Sequence, residues 1–149
     1  MISVVTPSYN QGQLSGRTIE SVLSRQGISA LEYIIMDGGS TDQTIEILKQ
    51  YKDRLYWESK SDGGQTDAVN QGIRRAQGDI IGWINSDDIY YPGALCAVEA
   101  AFRAYPEANV LYGDANHIDE EAEVLEPYYT EDFDFARLQQ DCFLCQPAV

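Results

Sequence analysis

Asp79-Ile80-Ile81-Gly82-Trp83-Ile84-Asn85-Ser86-Asp87-Asp88 runs from an apolar stretch straight into two adjacent acidic residues, and a turn at Pro92-Gly93 follows. The apolar part predicts a buried strand over residues 79–84, and the acidic pair falls at its C-terminal end. Carboxylates beside a buried strand are costly unless something there needs them. In a doubly wound α/β protein, ligands bind outside the C-terminal ends of the strands. Carboxylates at that spot suit a hard divalent cation, which commonly bridges phosphates. The competing reading is an acidic turn in which Asp87 or Asp88 caps the next helix. Taken alone, the stretch leaves both readings open.

Strands and helices alternate outward from it. Ile2-Ser3-Val4-Val5-Thr6 reads as a buried strand stopped by Pro7 and the polar loop Ser8-Tyr9-Asn10-Gln11-Gly12. Ile19, Val22 and Leu23 share one face of a helix ending near Gly27. Glu32-Tyr33-Ile34-Ile35-Met36 is a second strand, closed by Asp37-Gly38-Gly39. Ser40 and Gln43 fit a capping box that opens a helix with Ile45 and Leu48 inward. Leu55-Tyr56-Trp57-Glu58-Ser59 is a third strand, and beyond the turn Asp62-Gly63-Gly64 the residues Val69, Ile73 and Ala76 recur at helical spacing. Leu95, Val98, Phe102 and Tyr105 mark a long amphipathic helix. Asn109-Val110-Leu111-Tyr112-Gly113-Asp114 predicts a fifth strand and Glu123-Val124-Leu125 a sixth. Alternation of this kind implies an α/β fold with a mostly parallel central sheet and helices on both faces. No repeat, linker or low-complexity segment divides the 149 residues, so one domain is expected.

Composition narrows the partners. A chain that is 44% hydrophobic is not disordered. Its formal charge of −14 argues against nucleic acid or an anionic membrane surface as the main partner. An acidic protein holding an anionic nucleotide needs a cation, backbone amides or a few placed basic groups. Three cysteines, Cys96, Cys142 and Cys145, suggest packed or semi-buried thiols in a reducing compartment rather than a disulfide framework. The CxxC spacing of Cys142 and Cys145 lacks a second pair, and His117 is distant, so zinc is not expected. Nothing resembles a signal peptide, and no apolar run approaches the ~20 residues of a membrane span. A cytoplasmic location is expected, with peripheral attachment to a membrane as the alternative.

Each of the first four strands ends in a polar, turn-forming cluster: residues 7–10, 37–42, 60–65 and 85–88. Parallel strands place these ends on one edge, where four clusters make a site rather than four unrelated turns. In order, Val4-Val5-Thr6-Pro7-Ser8-Tyr9-Asn10, Met36-Asp37-Gly38-Gly39-Ser40-Thr41-Asp42, Asp62-Gly63-Gly64-Gln65-Thr66-Asp67-Ala68-Val69-Asn70-Gln71-Gly72 and residues 78–88 resemble glycosyltransferase family 2. The resemblance covers residues 1–115, the nucleotide-binding half of a Rossmann-like GT-A fold. Residues 116–149 would begin an acceptor-side region, truncated at the C-terminal side. Tyr112-Gly113-Asp114 and Cys145-Gln146-Pro147-Ala148 look like two further, weaker landmarks.

The resemblance implies an inverting transfer of a sugar from a nucleotide diphosphate donor to an acceptor hydroxyl, with Mg2+ or Mn2+. Thr6, Pro7 and Ser8 should lie against the nucleotide, with Ser86 beside it. Asp37 should accept a hydrogen bond from the base, an imide donor such as that of uracil. Asp62 should help hold the base or ribose, and Asp87 should bind the metal, with Asp88 as an alternative ligand. Asn85 stands where the family usually has the first Asp of a D-x-D motif, facing the ribose. Asp42 and Asp67 are expected as charges at helix N-termini, and Tyr9, Trp57 and Trp83 as core or pocket walls. The family's general base is expected beyond Val149, since no family motif surrounds Asp114, Asp119 or Asp141, and little turnover is expected of this chain alone. A UDP-sugar is the expected donor, with thymine or guanine open; the acceptor, a glycan or lipid-linked molecule, is not specified. A non-catalytic nucleotide-sugar-binding module of the same fold is the alternative. A sugar nucleotidyltransferase fits less well, because its Gly-rich basic loop is absent.

Overall fold

Every residue of β1 (Ile2–Ser8) is buried, as befits a strand with neighbours on both edges and helices on both faces. A computed structural model of the chain describes residues 1–24 and 27–148. β1 is paired in parallel with β2 (Leu31–Asp37) on one side and with β4 (Ile80–Trp83) on the other. β3 (Tyr56–Ser59) adds in parallel to the outer edge of β2. The sheet order is therefore β3-β2-β1-β4. The chain winds outward from β1 to β3 and then crosses back to the other edge. Right-handed crossovers in opposite directions put the connecting helices on opposite faces.

The side chains follow that geometry with the period of a strand. Ile2 and Val4 of β1 and Tyr33 and Ile35 of β2 meet Ile19, Val22 and Leu23 of α1 (Ser15–Leu23) and Leu48 of α2 (Thr44–Gln50). Ile34 and Met36 point the other way, against Ala68 of α3 (Gln65–Arg75). α3 sits so close to the sheet that a Cβ on Gly72 would come within 2.3 Å of Val5 Cγ1. That approach sets which side of α3 faces inward: Ala68, Val69 and Gly72 are buried, whereas Ile73, expected inward, is 43% exposed.

Beyond β4 the expectations need correction. α4 (Ala94–Ala104) forms and Leu95 touches the core, but the helix has no fully buried residue and Tyr105 lies exposed beyond its end. Residues 109–114 do not form the expected fifth strand. Strand formation depends on packing against neighbours, and Val110 is exposed, as is Ile81 on the sheet's β4 edge. Instead β5 (Asn116–Ile118) and β6 (Val124–Pro127) pair antiparallel in a separate two-stranded sheet. A short α5 (Phe135–Leu138) and a 3-10 turn (Gln146–Ala148) follow. Cys145 is buried and Cys96 half-buried, but Cys142 is exposed.

The expected capping box also fails. Ser40 lies too far from α2 to cap it; its hydroxyl donates to Asp37 Oδ1 at 2.5 Å. The orphan N–H of Thr44 is taken by Asp42 Oδ1 at 2.9 Å, and Asp42 Oδ2 accepts from Gly12 N at 3.0 Å. Asp42 thus ties the loop after β1 to the start of α2.

Candidate functional site

Because β1 lies between β2 and β4, the winding reverses at the β1/β4 boundary, and in doubly wound folds the C-terminal ends of the strands at such a switch point are where ligands bind. The four polar clusters meet there and are bonded to one another. Gly38 N donates to Ser8 O at 2.8 Å, Thr41 N to Asn10 Oδ1 at 2.9 Å, and Asn10 N to Ser40 Oγ at 2.8 Å. Asn10 adopts φ 53°, a left-handed conformation that Asn tolerates better than most residues. Lys60 N donates to Asp37 O at 2.9 Å, joining the third cluster to the second. Gln65 Nε2 donates to Asn85 Oδ1 at 2.8 Å, joining the third to the fourth.

Several expected ligands turn inward. Asp37 is 2% exposed. Its Oδ2 accepts from Gly39 N at 3.1 Å, Ser40 N at 2.8 Å and Ser59 Oγ at 2.6 Å. Only Oδ1, with the Ser40 hydroxyl, keeps spare acceptor capacity, so the carboxylate chiefly shapes the loop. The Thr6 hydroxyl is buried and bonded to Tyr33 Oη at 3.1 Å. Burial pushes the Tyr33 phenol well above its ordinary range. Pro7 is buried within β1. Ser8 and Ser86 are both buried beside Thr18 of α1. What β1 can offer a ligand is therefore backbone.

The groups that face outward are fewer. Tyr9 is 61% exposed. A Cβ on Gly38 would lie 3.3 Å from both Tyr9 Cδ2 and the Asp62 carboxylate, so Gly38 forms the floor between a free aromatic face and an acid. Asp62 is half-buried, and its Oδ1 accepts from Gly64 N at 2.8 Å. Trp57 packs at the core margin.

The fourth cluster divides into a clamped part and a free part. Asn85 Oδ1 accepts from Gln65 and, at 3.2 Å, from Trp83 Nε1. Its Nδ2 donates to Asp88 Oδ2 at 3.2 Å and to Gln146 Oε1 at 2.6 Å. The expected ribose contact would have to displace one of these bonds. Asp88 is half-buried; burial, then the neighbouring Asp87 charge, raises its carboxyl above the usual range against the Asn85 hydrogen bonds. Burial and the Asp88 charge push Tyr90 up to about 12. Asp87 is exposed, and its carboxylate has no hydrogen-bond or ion-pair partner among the described residues. Gln65 and Gln146 were not foreseen as members of the site, although both lie in stretches singled out in the sequence.

Among the described residues no group of three or more His, Cys, Asp and Glu side chains gathers to hold a metal. The acidic pair does fit a cation shared with a ligand, because Mg2+ binds through one or two carboxylates plus substrate phosphates and water. Of the late carboxylates, Asp119 Oδ1 accepts from Glu121 N and Glu123 N, Asp141 lies 3.4 Å from Arg137, and Asp114 is exposed.

Comparison with known proteins gives this arrangement its family. The sequence profile of Glycosyl transferase family 2 matches residues 3–144. The chain belongs to glycosyl transferase family 2. An uncharacterized glycosyltransferase of Mycobacterium tuberculosis is 39% identical over 88 residues, covering 58% of this chain and 34% of the relative. The chain thus spans about a third of that relative's length. S. aureus TarS 1-349 in complex with UDP-GlcNAc is similar in fold, with TM-score 0.64, 23% identity, and coverage of 70% of this chain and 32% of that one. Glucosyl-3-phosphoglycerate synthase of M. tuberculosis, in complex with Mn2+, UDP and glucosyl-3-phosphoglycerate, has TM-score 0.54 and 27% identity, covering 64% and 37%. As a family 2 member the chain has the GT-A fold, with its parallel sheet and crossover helices. No helix among the described residues is long and apolar enough to cross a membrane.

Proposed function

We propose that this chain is the donor-binding part of an inverting glycosyltransferase, holding a nucleoside-diphosphate sugar for transfer to an acceptor hydroxyl. The observation that carries the reading is Asp87, an exposed carboxylate just past the end of β4, at the β1/β4 switch point and without a partner among the described residues. Asp87 would hold Mg2+ or Mn2+ against the diphosphate, with Asp88 as a second ligand. A divalent ion so bound neutralises charge on the departing diphosphate. Tyr9 and Asp62 flank the floor at Gly38, and this reading gives them the base, an aromatic face with an acceptor at its edge. The β1 end, residues 6–8, contributes backbone, while Asp37 and Asn85 keep their loops in shape. The similar synthase and TarS, complexed with UDP or UDP-GlcNAc, support a UDP-sugar as the first donor to test. Residues 1–115 would form the nucleotide-binding half and residues 116–149 the start of the acceptor side, in a cytoplasmic protein. Slow or absent turnover by this chain alone belongs to the reading.

Calorimetric titration with UDP in the presence of Mn2+ tests it. Binding that EDTA weakens is expected, and Asp87→Ala should remove most of the metal-dependent part of the affinity. Failure of UDP, GDP and TDP alike to bind would refute the donor site.

A further inference from the structure

Gln146 lies 61 residues beyond Asn85, yet its side chain is built into the turn that carries Asp87. Its Nε2 donates to the carbonyl of Trp83, the last residue of β4, at 2.7 Å. Its Oε1 accepts from Asn85 Nδ2 at 2.6 Å. One planar amide therefore spans the end of the strand and the start of the turn. The segment carrying it is itself anchored: Phe143 is fully buried, Cys145 is buried, and Gly113 N donates to Ala148 O at 2.9 Å.

We propose that Gln146 is a positioning residue that fixes the Asn85-Ser86-Asp87-Asp88 turn in the shape Asp87 needs to share a divalent cation with a bound diphosphate. The inference rests on the donor-site reading above. Asp87 has no partner of its own among the described residues, so its carboxylate goes where the turn puts it. The turn is held through Asn85, whose other bonds reach Gln65, Trp83 and Asp88. The chemistry at both ends requires amides. An Asp at position 85 has no N–H for Gln146 or Asp88, and a Glu at position 146 has none for the Trp83 carbonyl. Asn85, the departure from the usual acidic motif, is thus matched to Gln146. Groups that orient metal ligands from behind commonly govern metal affinity by ten- to a hundredfold.

The test uses the full chain and UDP titrations with and without Mn2+, read as the gain in affinity that Mn2+ confers. Gln146→Met preserves length without hydrogen bonding; it should lower that gain about tenfold and leave the metal-free UDP affinity unchanged. Asn85→Ala, which also loses the bonds to Gln65, Trp83 and Asp88, should lower that gain at least as much, and adding Gln146→Met to it should cost less than Gln146→Met does alone, because the bond they share is already gone. Phe143→Leu serves as a control for loosening the same segment; it should lower the melting temperature but keep the Mn2+ gain. An unchanged gain in Gln146→Met, additive losses in the double variant, or an equal loss in Phe143→Leu would each overturn the positioning role. A lack of any Mn2+ gain in the unsubstituted chain would overturn the metal role of Asp87, and a lack of UDP binding the donor site itself, which separates these failures from that of Gln146.

Discussion

Residues 2–88 bury apolar side chains on both faces of one parallel sheet, whereas among the described residues of 89–148 only Phe143 and Cys145 are buried. The first region is held by packing. Apart from Leu95 against the core, the second is attached mostly by directional polar contacts: Ser29 N to Glu99, Tyr90 N to Ser21 Oγ at 3.1 Å, the Arg17 guanidinium to the Glu120 carbonyl, and the Gln146 amide. Val124, Leu125, Tyr129, Phe133 and Phe135 stay exposed there. Hydrophobic burial scales with area and dominates stability, while exposed polar contacts each contribute little. The polar loop edge is thus a property of the first region, to which the second lends one amide.

The largest expected effect lies in the first region. Leu48→Ala, at a fully buried position between α1, α2 and the sheet, should cost about 2–5 kcal/mol by urea unfolding. A loss below about 1 kcal/mol would break the claim that packing carries this half. Asp37→Ala should follow at about 2–3 kcal/mol, because it strands Gly39 N, Ser40 N and the Ser59 hydroxyl. A near-neutral result would return Asp37 to a ligand role.

A smaller effect is expected at Asp42. The Thr44 hydroxyl holds its carboxyl below the usual range, with help from the Gly12 and Thr44 amides and against some burial. A folded-state value below the unfolded one gives stability that is fully present above the unfolded Asp value of about 3.9 and lost as pH falls through the lower folded value. Asp42→Asn should therefore flatten the acid limb of the unfolding profile. It should not abolish it, since Glu58, Asp79 and Glu99 are lowered too, by Lys60, by the N-terminal amine and by Ser29. An acid limb identical in the variant would exclude Asp42 as a contributor. The smallest effect is expected at Leu125, 66% exposed: Leu125→Ala should stay within about 0.5 kcal/mol. A larger cost would mean that the second region has a core of its own.

How legible each part was depends on how local its cause is. The strands and helices up to residue 84 were readable because each buried face writes its period into the sequence, as in Val4, Ile35 and Leu48. The convergence of four loops followed from parallel topology alone. Residues 109–114 misled because an apolar run fixes no partner edge, and Ser40 misled because the capping spacing does not show that Asp37 competes for its hydroxyl. Tyr9 and Asp62 share the floor at Gly38 through contacts between loops, which no spacing encodes.

The α/β pattern, the acidic turn after β4 and membership of glycosyl transferase family 2 are legible in the sequence, since these reside in contiguous motifs. Which carboxylates are free depends on contacts made in folding. Asp37 and Asp87 are alike in sequence, each at or just past the end of an apolar run. One is closed over by three donors to its Oδ2, and the other is left open to solvent. The difference comes from neighbours brought in by folding, Ser59 for the first and Asn85 with Gln146 for the turn of the second. Hydrogen-bond donors reach a carboxylate through space, and their distance along the chain carries no sign of it.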